Sequence, residues 1–434
     1  MARNRIISGI DIGSSKIVSI IGQVSEEENI SIIGVSSVPS RGIRKRVVVD
    51  IDKAVEAISE SLSAAERMAG CTVASAFVTI GGTHVSCVNS PGVVAVSSPD
   101  TGITGGDVAR VIEAARAISI PSSREIIHVI PRSYSVDSQE GVQDPIGMSG
   151  VRLQIETHIV SGSTTSMRNL VKCVQQVGLD VDDLVFTGLS ASESILSETE
   201  KELGVVLVAI GGGTTAVVIF TEGSPVFSSV IPIGGKNITN DIAIGLRITL
   251  EEAEKVKTHL SNHQMPVLPS KKEGEKDKKR HLSEGDKETS ASAEIDISSL
   301  NIGKLKSVDK DFLVRGIIRP RLEEVFDLVK EELKRSGYEH SLPSGAVICG
   351  GGASTIGLDG VAKKILRAPV RIGSPQGVSG LIEEISSPGY SAAIGMVIFA
   401  SKRLVTPRIS FINRIPLAKL YFEKVAKWAK GLIP

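Results

Sequence analysis

Ile6-Ile7-Ser8-Gly9-Ile10-Asp11-Ile12-Gly13-Ser14-Ser15-Lys16-Ile17-Val18-Ser19-Ile20 is an apolar, β-branched run, a tight turn of small residues, and a second apolar run. The pattern returns as Val205-Val206-Leu207-Val208-Ala209-Ile210-Gly211-Gly212-Gly213-Thr214-Thr215-Ala216-Val217-Val218-Ile219-Phe220. Each stretch predicts a β-hairpin of buried strands. Its turn leaves backbone N–H groups free to meet an anion. Glycine lets the backbone approach a phosphate closely, and Ser or Thr hydroxyls add donors. One such hairpin is equally well a plain turn between core strands. Two of them about 200 residues apart point to a duplicated domain gripping one nucleotide from both sides.

A third element strengthens that expectation. Ala346-Val347-Ile348-Cys349-Gly350-Gly351-Gly352-Ala353-Ser354-Thr355-Ile356-Gly357-Leu358 reads as a strand, a triple glycine and a helix start. Its glycines would let an adenosine lie against the backbone. Three glycine turns in this order, each on a buried strand, resemble the nucleotide cleft shared by actin, hexokinase and the heat-shock chaperone ATPases. No Gly-x-x-x-x-Gly-Lys-Ser/Thr loop occurs. A dinucleotide fold is a poor fit, because the first glycine turn leads into another strand rather than a helix.

With 434 residues the chain calls for two or more domains. Its formal net charge of zero argues against a nucleic-acid-binding body. Cys71, Cys87, Cys173 and Cys349 show no pairing or metal spacing and read as small core residues of a reducing compartment. Asp11 interrupts the first apolar run, so the N-terminus does not read as a signal peptide. Residues 204–221 are uncharged and about as long as a bilayer span, but the central glycines and threonines favour two buried strands.

Along the chain, residues 6–39 read as a strand meander, 50–69 as a helix capped by Asp50 or Asp52, and 74–80 as a buried strand. Residues 84–162 look like a small inserted α/β subdomain. It has short strands at 85–88, 93–96, 126–136 and 153–159, a helix at about 104–118, and Pro121, Pro131 and Pro145 breaking it up. Helices are expected at 167–177, 190–202, 240–260, 316–333 and 391–400, with a short strand at 182–186. Residues 270–290 hold seven Lys/Arg and six Asp/Glu with Leu282 the one apolar residue, the composition of a disordered loop. The fold class is therefore α/β, a duplicated two-lobe architecture. The expected units are 1–83 (first lobe core), 84–162 (insert), 163–235 and 343–401 (second lobe core), and 236–342 (a small subdomain carrying loop 270–292). A linker at 402–415 and a terminal helix at 416–433 complete the chain.

The last 33 residues carry eight Lys/Arg against one acid, Glu423. Pro416 suits a helix start and Gly431 its end. At about 100° per residue, Leu417, Tyr421, Val425, Trp428 and Leu432 share an apolar half. Lys419, Lys424, Lys427 and Lys430 share the other. Leu420 alone breaks the pattern, and Trp428 is the single tryptophan of the chain. A terminal helix docked on the body needs no lysine excess. A basic helix with Trp, Phe and Leu on one face fits an anionic membrane surface and is too short and charged to span a bilayer.

The whole set of motifs resembles the actin-like FtsA family of bacterial cell division. The resemblance rests on Ile10-Asp11-Ile12-Gly13-Ser14-Ser15-Lys16 and Asn169-Leu170-Val171-Lys172-Cys173-Val174. It continues in Gly178-Leu179-Asp180-Val181-Asp182, Gly188-Leu189-Ser190-Ala191-Ser192, Ile210-Gly211-Gly212-Gly213-Thr214, Ile231-Pro232-Ile233-Gly234-Gly235 and Gly350-Gly351-Gly352-Ala353. It implies ATP held by Gly13, Ser14, Ser15, Lys16, Gly211, Gly212, Gly213 and Thr214, with adenosine on Gly350, Gly351 and Gly352. Glu254 and Lys257 would touch ribose and base, and Asp11 would hold Mg through water. It also implies self-polymerisation and recruitment of later division proteins. The C-terminal peptide of the tubulin-like FtsZ would dock near Arg321. Attachment to the cytoplasmic face of the membrane at the septum would run through the tail helix. The chain departs from the pattern at Ala209, where the family usually has Asp, and at Phe186-Thr187-Gly188-Leu189, which lacks a water-positioning Gln or Glu. Both departures imply slow or absent hydrolysis. An actin-like pilus-assembly scaffold, or a sugar or acetate kinase, would share the fold.

Overall fold

The computed structural model describes residues 5–262, 294–303, 305–380 and 383–405. The charged loop and residues 406–434, including the segment 416–433, lie outside the described residues.

Strands β1 (Arg5–Ile12), β2 (Lys16–Val24) and β3 (Ile30–Pro39) open the chain as the expected antiparallel meander. A small hairpin, β4 (Ile43–Arg44) and β5 (Val47–Val48), precedes α1 (Ile51–Ala69). That helix starts where the Asp50 carboxylate accepts from Lys53 N and stops at left-handed Gly70. β6 (Ser75–Ile80) returns parallel to β1.

The insert consists of β7 (Ser86–Ala95), α2 (Gly105–Arg116), β8 (Arg124–Val136), β9 (Gln139–Val142) and β10 (Arg152–Ser163), in sheet order β7-β10-β8-β9. The two short strands expected at 85–88 and 93–96 are one strand. β7 is an edge, where Pro91 leaves no ladder partner wanting. Gly92 lets α2 pack close, since a Cβ there would lie 2.4 Å from Val111 O. Pro131 does not interrupt β8 either. It pairs with Thr157 beside a bulge, in a stretch that β9 does not reach.

The chain continues through α3 (Thr164–Gln176), β11 (Asp180–Phe186), α4 (Thr187–Ile195) and α5 (Glu198–Leu203). The helix expected at 190–202 is thus two, because Ser197 and Glu200 form a capping box that restarts it. The second hairpin is β12 (Val205–Ile210) and β13 (Thr215–Thr221), followed by β14 (Ser224–Ile231). The helix expected at 240–260 also divides, into α6 (Gly235–Leu246) and α7 (Leu250–Asn262). Arg247 turns left-handed at φ 54°, and the Thr249 hydroxyl accepts from Glu252 N at 3.2 Å. β15 (Glu294–Asp296) and β16 (Ser307–Asp309) form a small ribbon. A π-helical segment, Asp311–Ile318, then runs into α8 (Arg319–Ser336), so that helix begins five residues earlier than expected. β17 (Ala346–Cys349), α9 (Leu358–Leu366), β18 (Val370–Ile372), β19 (Ser379–Gly380) and α10 (Ser391–Val405) complete the chain. α10 runs through 402–405, which the sequence reading gave to the linker.

The duplication is explicit in the sheets. The first has order β11-β6-β1-β2-β3-β19 and the second β18-β17-β12-β13-β14. In each, a three-strand antiparallel meander carries two parallel strands on one side, and the first sheet adds β19 parallel to β3 on the other. α1 and α3 cover one face of the first sheet, burying Ala54, Ile58, Leu170 and Val174 against Ile10, Ile12 and Val78. α10 covers the other through Ala393, Met396 and Val397. α4 packs Leu189, Ala191 and Ile195 on Val205, Leu207 and Val347 of the second sheet.

The insert also reaches the second lobe. Side chains two apart on β7 share a face, and here they satisfy the free edge of β14. Asn89 Nδ2 donates to Val226 O (3.0 Å), and Ser228 N donates to Cys87 Sγ (3.2 Å). Behind them fully buried His158 joins Asn89 Oδ1 (2.7 Å) to Ser228 Oγ (2.9 Å). Burial, helped by the Arg132 charge, pushes this imidazole down to about 3. Burial likewise pushes His128, which accepts from Phe186 N at 2.9 Å, down to about 3. Unfolded histidine takes up its proton near pH 6.5, so each group's stability contribution is complete above that pH. It is lost, at about 1.4 kcal/mol per pH unit, as pH falls from 6.5 toward 3. His158→Gln should give a stability–pH curve shallower by one group over that window. Equal slopes in variant and wild type would show that His158 binds its proton alike in the folded and unfolded states and is not held neutral by burial.

Candidate functional site

The two long hairpins turn in the same way. Gly13 N donates to Lys16 O (3.1 Å) and Gly211 N to Thr214 O (2.9 Å), leaving Ser14–Ser15 and Gly212–Gly213 as the tips. These tips face each other across the lobes. A Cβ on Gly212 would lie 2.7 Å from Ser15 Cβ, and one on Gly213 would lie 3.0 Å from Ser14 Oγ. The glycines expected for phosphate approach are thus also required by the opposing loop. The third turn lies beside the second. Gly350 is left-handed at φ 83°, and a Cβ on Gly352 would meet Ile210 Cγ2 at 2.3 Å. The chain leaves it through a 3-10 turn, Gly351–Ser354, before α9 begins.

Between the turns lies a cavity of about 390 Å³, in the range of small-molecule sites. Of the residues expected to hold nucleotide, Asp11, Gly13, Ser14, Ser15, Lys16, Gly211, Gly212, Thr214, Glu254, Lys257, Gly350, Gly351 and Gly352 line it. Gly213 sits beside it, against Ser14. Glu254 and Lys257, one turn apart on α7, are paired at 2.7 Å. Lys257 Nζ also donates to Thr239 Oγ1 (2.9 Å) and Gly235 O (3.3 Å).

The sequence reading missed Arg46 and Lys236, both of which line the cavity. Lys236 follows the glycine pair 234–235 at the start of α6 and donates Nζ to Ser14 O at 2.7 Å, bridging the lobes. Lys16 Nζ lies 3.6 Å from the centre of the Tyr390 ring. Lys16, Arg46, Lys236 and Lys257 face only Asp11 and Glu254 among the charged lining residues. That balance suits a polyanion. Ala209 lines the wall where a second carboxylate was absent from the sequence. Thr187 lines it too, its hydroxyl donating to Ile80 O at 2.9 Å. Burial pushes the Cys349 thiol at the cavity wall up to about 12.

The Mg expectation for Asp11 meets a different arrangement. Its Oδ1 accepts from Thr79 Oγ1 (2.6 Å) and from Arg46 Nη1 (3.0 Å). No group of three or more His, Cys, Asp or Glu placed to hold a metal occurs among the described residues. The carboxylate is engaged with the protein's own cation, so the residues present are a poor fit to a metal site.

Arg321, the residue expected to meet an acidic peptide, is not a free arginine on a rim. Its Nε and Nη2 clasp both oxygens of Asp241 on α6, at 2.5 and 2.9 Å, and Nη1 bonds Glu324. It is a strut between α6 and α8. Ile244, three residues after Asp241 on the same helix, is 77% exposed, and Phe312 on the π-helical segment is 51% exposed. The membrane residues Leu417, Tyr421, Val425, Trp428, Leu432, Lys424 and Lys427 lie outside the described residues. Among the described residues no helix is long and apolar enough to cross a membrane.

Residues 82–161 match the family described as "SHS2 domain inserted in FTSA", and residues 206–395 match "Cell division protein FtsA". A "Cell division protein FtsA" of Pseudomonas aeruginosa is 36% identical over 433 residues, 98% of either chain. The Escherichia coli K12 protein described in the same words is 32% identical over 435 residues, 99% of this chain and 96% of that one. Among solved structures, a "PilM-PilN type IV pilus biogenesis complex" superposes with TM-score 0.61 at 16% identity, over 91% of this chain and 98% of that one. The ethanolamine utilization protein EutJ from Carboxydothermus hydrogenoformans does so with TM-score 0.50 at 16% identity, over 91% and 90%. These two likenesses speak for the actin-like fold alone.

Proposed function

The chain belongs to the FtsA family of cell-division proteins, and on that premise we propose that it is a nucleotide-binding scaffold that ties FtsZ filaments to the membrane. It binds ATP in the cleft between its lobes. It polymerises through its own subdomains, docks the C-terminal peptide of FtsZ, and recruits later division proteins to the septum. It holds the assembly on the cytoplasmic face of the membrane by its basic tail. The supporting observation is the meeting of three glycine turns, from the start, middle and end of the chain, in one cleft of positive balance. The family relationship favours this over the pilus and kinase readings.

ATP at a hundred times its dissociation constant should add about 2.7 kcal/mol to the folded state and raise Tm accordingly. A Cβ on Gly351 meets nothing within 4 Å. Gly351→Ala should therefore leave the ligand-free Tm unchanged while shrinking the ATP shift. With Ala209 in place of a carboxylate, phosphate release should stay far below about 1 per second. An unshifted Tm in saturating ATP would remove the nucleotide reading, and turnover at or above that rate would remove the scaffold's slow-hydrolysis feature.

For the filament partner, the apolar ground is exposed Ile244 and Phe312, with the Arg321–Asp241 pair beside it. An acidic peptide residue would share or displace Asp241 on the guanidinium. Asp241→Asn should therefore strengthen binding of the FtsZ peptide, and Arg321→Glu should weaken it. Unchanged affinity in both variants would move the docking site elsewhere.

For the membrane, each basic residue near an anionic surface contributes roughly 1 kcal/mol, and salt screens it. One such helix attaches reversibly, so firm attachment needs several tails on one polymer. Truncation after Val405 leaves α10 whole. It should abolish flotation with anionic liposomes while keeping the ATP-induced Tm shift, and Trp428→Glu should do nearly the same. A truncated protein that still floats would place the anchor in the body.

A further inference from the structure

The β4–β5 hairpin is built against its own backbone preference. Its two tip residues, Lys45 and Arg46, are both left-handed, at φ 49° and 60°. Two-residue hairpin turns of this form ordinarily draw Asn and Gly, and strained side-chain-bearing positions persist where the surroundings over-determine them. Here they do. Arg46 N donates to Ser14 Oγ at 2.8 Å, tying the tip to the first phosphate loop. A Cβ on Gly81 would lie 2.7 Å from Arg46 Cδ, and one on Gly213 would lie 3.4 Å from Lys45 Cα. The tip is wedged between both lobes' loops at the floor of the cleft.

What the wedge delivers is the guanidinium. Arg46 Nη1 reaches Asp11 Oδ1 at 3.0 Å and Ile12 O at 3.2 Å, with its side chain 11% exposed and that of Asp11 8% exposed. Magnesium at a nucleotide is held through one or two carboxylates, waters and the phosphates. In this cleft one carboxylate is taken by Arg46 and Thr79, and Ala209 stands at the other position. A guanidinium cannot lose its charge and offers several fixed donors to phosphate oxygens.

We propose that Arg46 takes the place of the divalent cation, so that this site binds a nucleoside triphosphate without requiring magnesium. The proposal rests on the nucleotide reading above. Asp11 then orients the guanidinium, and Lys16 and Lys236 share the remaining phosphate charge. The absence of a metal requirement accords with a site that retains ligand rather than turning it over.

The test is equilibrium binding of ATP to the full-length protein in EDTA and in excess magnesium, for wild type, Arg46→Gly and Arg46→Lys. Glycine removes the guanidinium and is at ease at a left-handed position, so the hairpin keeps its path. Wild type should bind with less than about threefold difference between the two conditions. Arg46→Gly should lose about tenfold or more in EDTA and recover in magnesium, and Arg46→Lys should fall between. Wild-type binding that collapses in EDTA and returns with magnesium overturns this proposal while leaving the nucleotide reading intact. Arg46→Gly binding like wild type in EDTA overturns it too. No ATP binding in either condition removes the nucleotide reading itself.

Discussion

The lobes press together most closely at a crossing where no side chain fits. α10 crosses α4 so closely that a Cβ on Gly395 would lie 1.7 Å from Ser190 O. Hydroxyls finish the contact. Ser190 Oγ donates to Ala392 O at 2.5 Å and Ser194 Oγ to Ser391 O at 2.8 Å. α10 is pressed on the first sheet, where Gly9 and Gly22 make room for Met396 and Val397. α4 is pressed on the second sheet. The crossing therefore sets how far apart the sheets stand, and with that the separation of the hairpin tips. Small residues at successive contacts do what a larger interface would do elsewhere. They bring backbone to backbone, where shape is fixed and rotamers cannot adjust.

The cleft that results is made chiefly of main chain. Its walls are hairpin tips and the third glycine turn, and its charge comes from a few cations delivered from separate elements. Lys16 comes from the first hairpin, Arg46 from the β4–β5 tip, Lys236 from α6 and Lys257 from α7. Because both tips are closed by the same backbone bond, the duplication of sequence becomes a near-symmetric pair of anion-facing turns. The symmetry ends with the carboxylates. Asp11 occupies one side and Ala209 the other, and the one that remains is neutralised from within the protein.

Much of this was legible in residue order. β-branched runs around glycine turns announced both hairpins, and the composition change after residue 84 marked the insert. What escaped notice depended on local caps or on distance. The breaks at Ser197 and Thr249 lie in hydroxyl–glutamate capping boxes that apolar periodicity does not register. Pro131 misled because its tolerance within β8 depends on a bulge and on a stretch that β9 does not reach, a fact of topology. Arg46 stood among other basic residues with no spacing to single it out, and only the fold brings it 3.0 Å from Asp11. Arg321 was singled out as a surface arginine for a partner, but its clasp on Asp241 spans 80 positions and leaves no mark in the sequence.

The insert leaves the first lobe at β6 and returns to it at α3, yet it leans on β14 of the second. The body is thus braced on two sides, with the α4–α10 crossing as the close joint and the insert as a strut to β14. The strut's far end is fastened through Cys87, Asn89, His158 and a Ser224 Oγ bond to Pro131 O (3.5 Å), with Val160 and Ile130 in the same apolar cluster as Val218 and Val230. Any rotation about that crossing would have to be taken up at these contacts, as tilt of the insert against the edge of β14. A change of a few tenths of an ångström between the hairpin tips would therefore be magnified along the strut, and the outer face of the insert would act as the pointer of a gauge whose scale is the cleft.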